Sequence, residues 1–215
     1  AGNTGLNTKM KPSVKQPVEM YLNDFDGNGT LDQIICSYEN GISYPVAQVD
    51  ELRKQITGLE KKYPDYSYFA GKTAKDIFGS KAINRSIKKT AVMFESCLFL
   101  NDGKGGFTIS KLPVEAQFSP VRDILSRDIN NDGKPDILLA GNDFTAKPNY
   151  GRQDASYGWC LLGNGSNTFK ALFPSASGLR IDGDARKIAP FMVAGKQYIV
   201  AGINNGDLQV FECLK

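Results

Sequence analysis

The stretch Asp24-Phe25-Asp26-Gly27-Asn28-Gly29-Thr30-Leu31-Asp32 has the form D-x-[DN]-x-[DN]-G-x-x-D, and Asp128-Ile129-Asn130-Asn131-Asp132-Gly133-Lys134-Pro135-Asp136 repeats it. Each copy runs straight into a short apolar segment, Gln33-Ile34-Ile35-Cys36-Ser37 or Ile137-Leu138-Leu139-Ala140-Gly141, with the length of a buried strand. Two hairpin patterns follow at Cys97-Leu98-Phe99-Leu100-Asn101-Asp102-Gly103-Lys104-Gly105-Gly106-Phe107 and Cys160-Leu161-Leu162-Gly163-Asn164-Gly165-Ser166-Asn167-Thr168-Phe169. Their Asn/Asp/Gly turns supply the positive φ angles that tight hairpins need. Each copy therefore reads as strand, acidic loop, strand, connection, strand, Gly-rich turn, strand.

A loop whose oxygens alternate at positions 1, 3, 5, 7 and 9 bends around one centre when a Gly at position 6 allows a sharp turn. The expected ligands are Asp24, Asp26, Asn28, the Thr30 carbonyl and Asp32 in the first loop. In the second they are Asp128, Asn130, Asp132, the Lys134 carbonyl and Asp136. An all-oxygen set favours Ca2+ over softer metals, so two calcium sites are expected. An EF-hand is excluded, because its bidentate Glu at position 12 is here Ile35 or Leu139.

Shifting the second copy along the chain reveals a third, in which Ile199-Val200-Ala201-Gly202-Ile203 takes the place of Ile137–Gly141. Its ligand positions hold Pro190, Ala194 and Tyr198, so no metal of this kind is expected there. Repeating four-stranded units of this size predict an all-β fold with a helical insertion, a partial β-propeller of about three blades. The expected layout is a single fragment, 1–215: a blade over 15–112, a second over 118–174 and an incomplete third over 183–215.

The first copy is the long one. From Asp24 to Asn101 the chain runs 77 residues, but from Asp128 to Gly163 only 35. The excess places an insertion over roughly 42–93, between the second and third strands. Within it Val49, Leu52, Ile56, Leu59 and Tyr63 recur at helical spacing up to Pro64. Further helices are predicted over Thr73–Phe78 and Ser80–Lys89, each opened by a capping residue. Thr4-Gly5-Leu6 matches Ser177-Gly178-Leu179, the link between copies, so the chain is expected to begin between blades as a piece of a larger protein or an arc that pairs with a second copy.

Composition narrows the function. The 215 residues are 41% hydrophobic and 23% charged, the usage of a globular protein, and 26 Lys+Arg against 23 Asp+Glu leave +3. That charge is too small and too dispersed to predict a nucleic-acid partner. No apolar run approaches membrane-spanning length, so no membrane insertion is expected. A signal peptide is either absent or removed before this numbering. Histidine is wholly missing, which removes the commonest general base and transition-metal ligand. Cys36, Cys97, Cys160 and Cys213 show no C-x-x-C spacing; they read as buried free thiols, with Cys36–Cys97 the bridge to test.

The loops, the hairpins and the segment Gly151-Arg152-Gln153-Asp154-Ala155-Ser156-Tyr157-Gly158 resemble FG-GAP or VCBS-type repeats. Such repeats occur in integrin α-subunit propellers and in secreted bacterial proteins, including the cartilage-acidic-protein-like group. The resemblance covers most of Val18 to Glu212, and the helical insertion and ligand-free third copy depart from it. It implies an extracellular, cell-surface or periplasmic location and a ligand face opposite the calcium loops. That face would gather the insertion, the loop Asn142–Tyr157 and the turn Asn204–Asp207, with Tyr44, Tyr150, Arg152, Asp154 and Tyr157 as candidate contacts. The aromatics read either as partner contacts or as packing, and Arg152 with Asp154 either as a ligand clamp or as an ion pair.

The expected function is a binding, adhesion or scaffolding module for a protein or glycan, with no catalytic residues. Two alternatives stay open: part of a carbohydrate-active or other secreted enzyme whose catalytic residues lie elsewhere, and a purely structural propeller-closing segment.

Overall fold

A computed structural model describes residues 1–147 and 150–213. The fold is mostly β, in antiparallel sheets of two to four strands, none of them closed. The chain divides into two compact units, 10–93 and 1–9 with 94–215.

In the unit 10–93, β1 (Val18–Asn23) pairs antiparallel with β2 (Asp32–Glu39), Tyr21 opposite Ile34. β3 (Ile42–Pro45) returns along β2 through Asn40-Gly41, both at positive φ (49° and 83°), as a tight two-residue hairpin requires. Five short helices follow: α1 (Val49–Gln55), α2 (Leu59–Lys62), α3 (Tyr66–Phe69), α4 (Ala74–Phe78) and α5 (Ser80–Arg85). β4 (Ile87–Ala91) then pairs with the free side of β1, giving the order β3-β2-β1-β4.

The helices bury one face against Ile34 and Cys36 of β2, using Val49, Leu52, Ile56, Leu59, Tyr63, Ala74, Ile77 and Ile83. All five positions of the predicted helical stripe are in this core, but the helix breaks at Thr57-Gly58, where Gly58 adopts φ 82°. At α4, Thr73 and Asp76 form a reciprocal capping box. Residues 87–89, predicted as helix, are strand. Ile87 and Thr90 are β-branched, and pairing with β1 outweighs local helical preference.

In the second unit β5 (Cys97–Asn101) and β6 (Phe107–Lys111) form a two-stranded hairpin. A four-stranded meander follows: β7 (Val121–Arg127), β8 (Asp136–Gly141), β9 (Trp159–Gly163) and β10 (Phe169–Leu172), in the order β10-β9-β8-β7. The turn α6 (Pro174–Ser177) leads to a three-stranded sheet of β11 (Ala185–Val193), β12 (Lys196–Ile203) and β13 (Gln209–Glu212).

β8 is buried along its whole length because both its faces are covered. Leu138 and Ala140 pack with Ile188, Ile199 and Ala201 of the third sheet, and Ile137 and Leu139 pack with Trp159, Leu161 and Leu112. Truncating such a residue, Leu139→Ala for instance, costs about 2–5 kcal/mol. The N-terminal segment joins the same unit. Ala1 exchanges two backbone hydrogen bonds with Cys97, and the Val121 amide donates to the Asn3 carbonyl at 3.0 Å.

Residues 121–172 form one sheet of four strands and residues 185–212 one of three. The first copy does not assemble as expected over 15–112. Among the described residues its third and fourth strands, β5 and β6, form a two-stranded sheet of their own, and the insertion itself supplies β3 and β4 to flank β2 and β1. The tight turn at Asn40-Gly41 holds β3 beside β2 at a smaller loop-closure cost than a distant strand would carry. All four cysteines are free thiols, so no Cys36–Cys97 bridge forms. Burial, with the Glu19 charge nearby, pushes the Cys36 thiol up to about 12, and burial beside Asp136 pushes Cys160 to about 11. Among the described residues no helix is long and apolar enough to cross a membrane.

Candidate metal centre

The first acidic loop joins β1 to β2 and the second joins β7 to β8, and five amide-to-side-chain hydrogen bonds recur in both; the Gly27 amide's bond to Asp24 is found in the first alone, and the side-chain bond between positions 3 and 5 runs from Asn28 to Asp26 but from Asn130 to Asp132. At position 1, Asp24 and Asp128 each accept from the amides of positions 5 and 6, at 3.1 and 2.9 Å in both loops. The position 5 amide also donates to the side chain at position 3, Asp26 or Asn130, at 3.1 Å. The position 7 amide donates to the side chain at position 5: Thr30 to Asn28 at 2.7 Å, Lys134 to Asp132 at 2.9 Å. At position 9 the buried Asp32 and Asp136 accept from the position 2 amides of Phe25 and Ile129, at 3.1 and 2.9 Å.

These bonds curl the backbone around the carboxylates and require positive φ twice, at position 6 (Gly29 86°, Gly133 81°) and at position 4 (Gly27 76°, Asn131 59°). The sequence pattern singled out position 6 alone. The signal at position 4 was present as the Gly/Asn pair, the residue types that enter this region most readily.

The loops differ in how their carboxylates are buttressed. The second oxygen of Asp136, which is fully buried, accepts from the Gly163 amide of β9 at 2.8 Å. A Cβ at Gly163 would lie 2.2 Å from the Pro135 carbonyl, so the close approach of β9 to the loop excludes a side chain. In the first loop no third strand occupies that place. Gln55 of α1 reaches Asp32 instead, at 3.4 Å. Asp26 is tied to the Thr57 amide at 2.7 Å, and that bond holds its carboxyl below the usual range.

Both donor sets are made of oxygen, which fits a hard divalent cation. In the first loop carboxylate oxygens of Asp24, Asp26 and Asp32 lie within 4.8 Å of one another, the one such acidic group among the described residues. The Asn28 side chain and Thr30 carbonyl would complete the set. The second loop offers Asp128, Asn130, Asp132, the Lys134 carbonyl and Asp136, but the Lys134 ammonium stands 3.8 Å from Asp132 and opposes a second positive charge.

The candidate ligand contacts are spread over both units. Tyr44, in β3 of the unit 10–93, is half-buried and lines a 380 Å³ cavity with Asn40, Pro45 and Phe69. In the other unit Arg152 and Asp154 form an exposed ion pair at 3.0 Å, and the Arg152 guanidinium lies 3.5 Å over the Phe144 ring. Tyr157 is exposed beneath Arg180. Tyr150 is half-buried, its amide bonded to the Lys147 carbonyl at 2.9 Å. Residues 148–149 of this loop lie outside the described residues.

A polar network under this loop was not foreseen from the sequence. Buried Asn142 donates to the carbonyls of Ser156 (2.7 Å) and Gly183 (2.9 Å), and its own side-chain oxygen accepts from Ser156 at 3.2 Å. Buried Asp184 accepts from Arg186 at 2.6 Å and from Asn204 at 3.2 Å. Asp143 pairs with Arg122 and bridges Gln153 through backbone bonds. The network lies at the end of β8 away from its acidic loop and fixes the base of the Asn142–Tyr157 segment.

Comparison with known proteins finds nothing. No family model, no curated protein and no solved structure matches the chain.

Proposed function

We propose that this chain is a calcium-stapled binding or scaffolding module of the β-propeller type, working outside the cell or in the periplasm. The observation that carries the reading is the set of five amide-to-side-chain hydrogen bonds that recurs in both acidic loops, which place oxygen ligands at the same positions of a similarly curled backbone. One such loop is an ordinary Asp-rich turn; two at equivalent places in a repeat are a conserved use of the chain's geometry within one molecule. Bound Ca2+ would neutralise the three carboxylates of each loop and clamp the first strand of a sheet to the second.

Stacking in the second unit supports the repeat architecture, because β8 is covered on both faces by neighbouring sheet or hairpin. The partner class is protein or glycan, and its site is the loop surface over the Asn142–Asp184 network, where Arg152, Asp154 and Tyr157 are exposed.

Thermal unfolding of the full chain in Ca2+, in Mg2+ and in chelator tests the staple. The expected result is a higher Tm in Ca2+ alone, diminished in Asp26→Ala and in Asp132→Ala. Equal Tm in all three solutions contradicts it.

A further inference from the structure

The sheet of the unit 10–93 turns one face to its helices, and that face is not apolar throughout. Residues directly opposite one another on neighbouring strands share a face, as do alternate residues of one strand. Glu19 and Tyr21 of β1 therefore project with their register partners Cys36 and Ile34 of β2, and with Lys88 of β4. Tyr38, two residues beyond Cys36, and its partner Ser43 of β3 follow on the same face. The helical core covers Ile34 and Cys36, whereas Glu19, Tyr21, Tyr38, Ser43 and Lys88 floor a 330 Å³ cavity, room for a molecule of monosaccharide size. Thr73, Ala74 and Lys75 at the start of α4 and Ile83 of α5 wall it, so floor and wall come from one compact unit.

The polar groups are arranged about Glu19, whose side chain is 6% exposed. It accepts from Tyr21 at 3.1 Å, Ser43 at 3.0 Å and Lys88 at 2.6 Å, so its charge is neutralised and both its oxygens are engaged. Glu19 thereby fixes three groups that keep bonding capacity of their own: the Lys88 ammonium has donors to spare, and the two hydroxyls retain lone pairs. Lys75 is exposed, and among the described residues neither its ammonium nor the Tyr38 hydroxyl has an ion-pair or hydrogen-bond partner. With Glu19 and Lys88 cancelling, Lys75 leaves the cavity one positive charge in excess. The surroundings add to it, since residues 72–89 carry six Lys/Arg and one acid, Asp76. Such a field draws in an anion. The hydroxyls and spare ammonium donors beside two Tyr rings suit an anion that also carries a hydroxylated ring.

We propose that this cavity binds a sugar acid, its carboxylate paired with Lys75 and its hydroxyls meeting Tyr38, Ser43, Tyr21 and Lys88, with Glu19 as a positioning residue. The site uses neither acidic loop and none of the loop surface of the other unit, so its failure and that of the calcium-stapled reading are told apart.

The probe is D-glucuronate, titrated into the full chain with amide chemical shifts recorded. The expected result is saturable binding, with shifts concentrated at Tyr38, Ser43, Thr73–Lys75 and Lys88. D-glucose lacks the charge and acetate lacks the ring, and each is expected to bind at least about tenfold more weakly. Lys75→Gln, at an exposed position, is expected to cost about the same factor, whereas Lys81→Gln, in the same basic segment but outside the cavity, changes affinity less than about twofold. Methyl β-D-glucuronide binding more tightly than free glucuronate makes the source a glycan end, and weaker binding makes it a free acid; either supports the proposal. It is overturned by no shifts at these residues, which leaves Glu19 and Lys88 a structural pair only, by glucose or acetate binding as tightly as glucuronate, or by equal losses in the two lysine variants, which makes the attraction diffuse surface charge.

Discussion

The two acidic loops share one hydrogen-bonding pattern, yet what surrounds them is not the same. Behind Asp136 stands a strand, whose Gly163 amide completes the carboxylate's coordination by rigid backbone. Behind Asp32 stands a helix, whose Gln55 side chain does so at 3.4 Å. The same contrast recurs one strand earlier. Asp123 on β7 reaches the neighbouring sheet, accepting from the Ile188 amide at 2.8 Å and from Lys187. Glu19, at the equivalent place on β1, is satisfied by Lys88 of β4 at 2.6 Å and by Ser43 of β3 at 3.0 Å, within its own sheet. The comparison teaches that the loop is a self-contained device. Its backbone survives replacement of the strand beside it by a helix, because every shared bond lies inside the nine residues.

Removing the position 9 carboxylate tests this contrast most severely. Asp136→Ala leaves the Ile129 and Gly163 amides without acceptors, and at about 1–3 kcal/mol for each the expected loss is roughly 2–6 kcal/mol in urea unfolding under chelator. Asp32→Ala orphans one amide and a side chain that can turn to water, so a smaller loss is expected. Equal losses break the distinction between backbone and side-chain support.

The Glu19 cluster gives the next effect. Burial raises the Glu19 carboxyl, but hydrogen bonds from Lys88, Ser43 and Tyr21 and the Lys88 charge outweigh it, and the net shift is downward. A carboxyl lowered on folding contributes stability above its unfolded value, near 4.5, and loses it as pH falls through the lowered folded value. Glu19→Gln is therefore expected to cost about 1–3 kcal/mol at neutral pH, with the gap to wild type closing in acid below 4.5. A pH-independent gap assigns the loss to packing instead.

The smallest effect separates the loops as metal sites. Lys134 is half-exposed and 3.8 Å from Asp132, so Lys134→Met is worth about 0.2–1 kcal/mol, at most about fivefold in Ca2+ affinity. The gain is expected in the second loop alone. Unchanged affinity there removes the argument that Lys134 weakens the site.

Much of this arrangement was legible in the residues. The ligand spacing located both loops, the Asn/Asp-Gly turns located both hairpins, and Val49, Leu52, Ile56, Leu59 and Tyr63 are core residues as their period indicated. Strand partners were less legible. Nothing local in Ile87-Lys88-Lys89 announces β1 as a neighbour, and a run after a capped helix reads as more helix until pairing intervenes. The return of β3 onto β2 rests on Asn40-Gly41, a hairpin signal just ahead of the insertion, whose helical period does not announce a strand at its start. The Asn142–Asp184 network escaped because its members are 42 residues apart and single polar residues carry no period.

Calcium titration of the full chain by isothermal calorimetry, with Asp24→Ala and Asp128→Ala alongside, tests the central claim most directly. Two sites in the wild type and one in each variant are predicted, the site that remains in Asp128→Ala being the tighter. No heat of binding in the wild type, or binding that neither substitution alters, contradicts the account.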